Sequence, residues 1–173
     1  MNDMPPAERA TLSRVILVSD LDASGTDYAI EASAVERRDI AARLDIPALN
    51  RLSADFRLTP TRGGVDIRFT LNAETERICV VSLEPMREVI HEMVTLELRR
   101  AYDPDEDIDD DEVIRERLDG DEIDIGELLV QFLSLSLDPY PRKPRAEPLL
   151  EQYCDATSTS PFASLKRLVD RDQ

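Results

Sequence analysis

Few groups in this chain could build a reactive centre. Its 173 residues include one histidine, His91, two cysteines, Cys79 and Cys154, and 37 carboxylates. A Ser-His-Asp or Cys-His unit would have to use His91. The residues around it hold no nucleophile-elbow pattern, and it sits beside Glu92 on a stretch that reads as strand, so a sheet-surface histidine is expected. Zinc needs four tetrahedral ligands. Cys79 has Ser82 three residues later, Cys154 has no metal-ligating neighbour, and one histidine cannot complete a site. Both thiols read as small, partly buried hydrophobes. The chain has only five glycines, and Gly63-Gly64 falls in a hairpin with no helix after it, so no phosphate-cradling loop is present. No catalytic residue, metal site or cofactor is expected.

The densest carboxylates lie in Asp103-Pro-Asp-Glu-Asp-Ile-Asp-Asp-Asp-Glu112, where eight of ten residues are acidic. Asp103, Asp105, Asp107, Asp109 and Asp111 alternate like calcium-loop ligands. The sixth position, however, is Ile108 rather than glycine, and the twelfth is Ile114 rather than a bidentate glutamate. A solvated, self-repelling, mobile loop is expected, able to attract a basic partner. Asp109, Asp110 and Asp111 are its candidate contact residues. A magnesium-dependent hydrolase built on clustered carboxylates would need a converging pocket, and this stretch offers only a loop.

The formal net charge is −16. Residues 101–124 carry 13 acidic residues against 2 arginines, while the rest carries 24 against 19. The acidity is therefore mainly a local feature. Clustered Lys and Arg are what bind nucleic acid, so DNA is not an expected partner. Opposite potentials steer association, so a basic protein suits the acidic loop. No apolar run reaches the ~20 residues of a membrane span, and no secretory signal is visible. With two cysteines and no disulfide framework, a cytoplasmic location is expected.

These residues need elements to hold them. One helix is expected over 124–137. Asp124 is its N-cap, and Glu127 has the spacing of a capping box. Ile125, Leu128, Leu129, Phe132, Leu133 and Leu135 form its apolar stripe. Pro139 and Pro141 stop it. Ser33 and Glu36 open a second helix through about Leu44. Val15–Val18 and Tyr28–Ala32 read as short strands around a turn at Gly25. Leu52, Ala54, Phe56 and Leu58, then Val65, Ile67, Phe69 and Leu71, alternate with polar residues across a Thr61–Gly64 turn. Residues 73–82 continue in extended form, and Val94–Leu98 alternate again. Short connections imply antiparallel pairing with one wet face. The expected fold is α+β: an antiparallel, curved β-sheet packed by the 124–137 helix, with a docked tail helix near 161–169 capped by Ser160. The whole chain, 1–173, is expected to be a single domain, with a linker plus tail from 142.

Cys79-Val-Val-Ser-Leu-Glu-Pro85, Glu122-Ile-Asp-Ile-Gly-Glu-Leu128, Leu135-Ser-Leu-Asp-Pro139 and Pro161-Phe-Ala-Ser-Leu165, in this order, resemble the bacterial YceD family, the large ribosomal RNA subunit accumulation proteins. The resemblance runs from about Ile78 to Leu168. It implies a non-catalytic factor supporting accumulation of 23S ribosomal RNA and large-subunit biogenesis. The implied partner is a ribosomal protein or assembly intermediate, with RNA touched weakly or indirectly. Many relatives carry a second cysteine where this chain has Ser82. If those relatives hold a metal, this chain is expected to have lost it. Leu83, Glu84 and Pro85 are candidate contacts because they belong to the shared pattern. Arg142, Lys143 and Arg145 are candidates because they could meet phosphate. The alternative expectation is an acidic adaptor module unrelated to ribosomes.

Overall fold

The computed structural model describes residues 12–101 and 114–144. The expected acidic loop, Arg145, Cys154 and the tail helix lie outside these residues. The elements run β1 (Val15–Leu17), a 3-10 turn (Val18–Asp20), β2 (Thr26–Glu31), α1 (Ala34–Arg43), β3 (Ala48–Thr61), β4 (Gly64–Ile78), β5 (Pro85–Arg99), β6 (Ile114–Arg117), β7 (Glu122–Asp124) and α2 (Ile125–Ser136). The fold is α+β. An open five-stranded sheet has the order β2-β3-β4-β5-β6, and β1 pairs with β7 in a small second sheet. The chain divides into two compact units, residues 1–77 with 86–139, and residues 78–85 with 140–173.

In the larger unit, strict alternation decides the sheet. Leu52, Ala54, Phe56 and Leu58 of β3 and Val65, Ile67, Phe69 and Leu71 of β4 are all buried. The two strands pair antiparallel from Thr61 opposite Gly64 to Ala48 opposite Glu76, with one register irregularity between Leu49 and Arg51. Phe56 and Phe69 face each other across this ladder with ring centroids 4.6 Å apart, and Phe132 of α2 meets Phe69 edge-on at 5.3 Å. Such aromatic contacts add about 0.5–1.5 kcal/mol to the area they bury. They seat the helix on the sheet, as its apolar stripe requires. The chain leaving α2 is tied down as well. Arg77 pairs with Glu88 at 3.0 Å and donates to the Asp138 carbonyl at 2.8 Å.

The outermost pair departs from the expected antiparallel pattern, since β6 runs parallel to β5 over Leu96–Arg99. Fourteen residues separate these strands. That is long enough for a crossover, whereas the hairpins that imply antiparallel pairing are short. Two boundaries also differ from expectation. β4 ends at Ile78 and a turn follows, so residues 79–82 are not extended strand. β5 begins at Pro85, nine residues before the clean alternation at Val94. Its first half carries Arg87, Glu88 and His91, which obscure the period.

Both helix starts form as their sequences dictate, with one difference. Ser33 and Glu36 make a reciprocal capping box on α1. Asp124 caps α2 by accepting from the Gly126 and Glu127 amides. Glu127 does not close the expected box, because its carboxylate takes a bidentate pair with Arg43 of α1 at 2.6 and 2.8 Å. A guanidinium fork outcompetes a single backbone N–H for a carboxylate. The buried arc of α2 is also rotated relative to the expected stripe. Val130 and Gly126 are buried, whereas Leu135 is 75% exposed. The N-terminal segment packs on the Gly126 side, where an added Cβ would lie 2.6 Å from the Leu12 carbonyl oxygen. At about 100° per residue, Leu135 falls ~20° beyond Leu128, the edge of the buried arc. Gly64 is more tightly held, since a Cβ there would sit 1.8 Å from the Leu98 carbonyl oxygen.

Candidate partner-binding site

The smaller unit contains the five described members of the nine expected contact residues. Its architecture begins with Cys79. The Cys79 amide donates to the Glu84 carbonyl and the Leu83 amide donates back to the Cys79 carbonyl, both at 2.9 Å. This closes a tight turn in which Leu83 takes a left-handed conformation, φ 55°. A bulky residue adopts that conformation only when its surroundings impose it. The side chain is left 65% exposed, and Glu84 and Pro85 are exposed beside it.

The segment after Pro139 lies along this turn. The Val80 amide donates to the Pro141 carbonyl at 2.9 Å. The Lys143 amide points at the Cys79 sulfur, 3.4 Å away, and the Lys143 Nζ pairs with Glu84 at 2.7 Å. Leu83, Glu84 and Pro85 are therefore brought together with Arg142 and Lys143 across about sixty residues of sequence. The pair also holds the Glu84 carboxyl below the ordinary glutamate range, through the Lys143 hydrogen bond and charge. Lys143 is thus already neutralised. Arg142 is exposed and, among the described residues, has no ion pair. Asp109, Asp110, Asp111 and Arg145 lie outside the described residues.

Cys79 is fully buried and free of disulfide. The Ser82 hydroxyl, the Lys143 amide and the Ser82 amide surround its sulfur and, against the opposing effect of burial, draw the thiol pKa down to about 6. Ser82 Oγ is buried with no well-formed hydrogen bond of its own, and the Cys79 sulfur and the Glu84 carboxylate are the groups its hydroxyl faces. Cys79 is thus more fully buried than the partly buried hydrophobe expected, and its sulfur also takes hydrogen bonds from the turn. Among the described residues no three His, Cys, Asp or Glu side chains come together in a metal-binding group. Among the described residues, no histidine lies in hydrogen-bond contact with the sulfur. His91 lies on the exposed face of β5 in the larger unit, with Nδ1 2.6 Å from Asn72 Oδ1.

The sequence did not single out the apolar surface around the turn. Val80 and Tyr140 are exposed in the same unit. The Pro-Tyr-Pro run at 139–141 is the signal that could have found Tyr140, since flanking prolines hold an aromatic on an extended backbone.

This arrangement falls within a region of known family character. Residues 67–169, 103 of the 173, match the family described as "Large ribosomal RNA subunit accumulation protein YceD". The chain belongs to the YceD family. In the same comparisons no curated protein and no solved structure matched it. The family description names a role in large ribosomal RNA subunit accumulation and no reaction. The turn at Cys79 and the segment after Pro139 both lie inside the matched span. Among the described residues no helix is long and apolar enough to cross a membrane.

Proposed function

We propose that the chain is a non-catalytic factor supporting accumulation of 23S ribosomal RNA, acting in the cytoplasm by holding a ribosomal protein or a large-subunit assembly intermediate. Membership of the YceD family carries this reading. Two features support a binding role. The turn at Leu83 presents apolar and charged side chains together on a backbone fixed by its own hydrogen bonds. The charge is segregated, with 13 acidic residues against 2 arginines over 101–124, which suits a basic protein ligand. Arg142 is the cation in the described basic segment free to meet phosphate, because Lys143 is engaged by Glu84.

The test is gradient sedimentation of lysate from cells carrying the tagged full chain, followed by crosslinking and identification of the bound RNA and protein. The expected result is comigration with large-subunit precursors, weakened by Leu83→Asp and by Arg142→Glu, and a deficit of 23S ribosomal RNA in a deletion strain. Recovery of metabolic enzymes alone, with normal ribosome profiles in that strain, would overturn the reading and favour an adaptor unrelated to ribosomes.

A further inference from the structure

The wet face of the large sheet carries a second surface that the reading above does not use. Asp27, Arg57 and Arg68 sit side by side on β2, β3 and β4, with Asp55 one step along on the same face. They line a concavity of 460 Å³. Met93 of β5 also lines it and is 82% exposed. Val89, four residues earlier on β5, projects from the same face and is 68% exposed. Two large apolar side chains thus stand beside a hollow on one sheet face.

Charge decides among the occupants. On a chain of net −16, these four charged residues sum to zero. A basic protein is drawn to acidic surface and gains nothing here. Nucleic acid needs a cluster of free cations, but Arg57 is already paired with Asp27 at 2.7 Å. Arg68 and Asp55 are different: both are exposed and, among the described residues, neither side chain has a hydrogen bond or ion pair. One free cation and one free anion beside a knob and a hollow form a self-complementary set. In a two-fold contact, what one copy offers the other receives.

We propose that this face binds a second copy of the chain. Met93 of each copy enters the hollow of the other, and Arg68 of each meets Asp55 of the other. Methionine suits the knob because its unbranched, polarizable side chain adapts to the cavity it enters. A locally neutral patch is also where two strongly acidic molecules approach with least repulsion.

Sedimentation velocity of the full chain up to roughly 200 µM tests this, since that range captures even weak association. A monomer–dimer equilibrium is expected. Met93→Lys should weaken it at least about tenfold, the size of one lost interface anchor. Asp55→Arg and Arg68→Glu should each weaken it, and the double variant should recover affinity. All three positions are exposed, so thermal unfolding of the variants should match the parent and show that folding is intact. A chain that stays monomeric throughout, a dimer that Met93→Lys leaves unchanged, or a double variant no tighter than either single one would overturn the proposal.

Discussion

The two compact units hold themselves together by different means. In the larger one, side chains from β3, β4, β5 and α2 bury a continuous apolar core, with Phe56, Phe69 and Phe132 at its centre. In the smaller one, the described residues contribute one buried sulfur and a set of backbone hydrogen bonds around it. Burial tolerates polar variation on its outer face, because only the inward residues matter. A hydrogen-bonded turn depends on particular atoms and leaves its side chains free for contact. Stability and recognition are therefore carried by separate parts of this chain.

The largest effect is expected in the core. Phe132→Ala should cost about 3–5 kcal/mol, since it removes a buried aromatic and leaves a cavity against Phe69. Denaturant unfolding would measure it, and a loss below ~1 kcal/mol would contradict the packing described. Next comes the cap of α2. Asp124 accepts from Ser13 Oγ, the Arg14 amide and two helix amides. Burial alone would raise its pKa, but these hydrogen bonds outweigh burial and hold it below the ordinary aspartate value. Asp124→Ala should cost about 1–2 kcal/mol. A carboxyl whose pKa is lowered by folding contributes stability above its unfolded value and loses it on acidification. The gap between parent and variant should therefore be full above pH ~4 and shrink below it.

The smaller unit should answer to pH in another window. Thiolate absorbance in a Cys154→Ser background should titrate at about 6, against ~8.5 for an unperturbed thiol. The pKa is again lowered in the folded state. The stability this sulfur contributes should be complete above the unfolded thiol pKa and fall as pH drops toward 6, and Cys79→Ala should remove that slope. The smallest stability effect is expected at the turn's tip. Leu83→Asp should destabilise by no more than about 0.5 kcal/mol, because the side chain is exposed and Asp tolerates the left-handed conformation better than Leu, while reducing recovery with large-subunit precursors. A large destabilisation would place Leu83 with the core rather than the contact surface.

The parts legible in the sequence are those where one local rule acts unopposed. Alternation placed β3 and β4, Ser33 with Glu36 placed the start of α1, and Asp124 placed the start of α2. The illegible parts are those where a distant residue competes. Arg43, more than eighty positions away, takes the Glu127 carboxylate from the expected capping box. Leu12 covers the Gly126 flank and turns the helix so that Leu135 faces out. β6 joins β5 in parallel, which no short hairpin signal could announce. At the candidate site, the sequence marks Leu83, Glu84 and Pro85 apart from Arg142 and Lys143. Their meeting depends on amides aimed at Cys79 and Pro141, and backbone direction leaves no trace in residue type. The Arg68, Asp55 and Met93 face was missed because each is an ordinary wet-face residue until register sets them side by side.

Gly63 and Gly64 look interchangeable in the sequence, yet the space around them differs entirely. Among the described residues nothing lies within 4 Å of a Cβ built at Gly63, whereas one at Gly64 would overlap the backbone of Leu98. In a saturation library selected for folding, position 63 should fill with many residue types while 64 stays glycine. That one position then acts as a gauge for the sheet, because any side chain there must push the hairpin end away from β5 and take Arg99, with its pair to Asp66, out of reach.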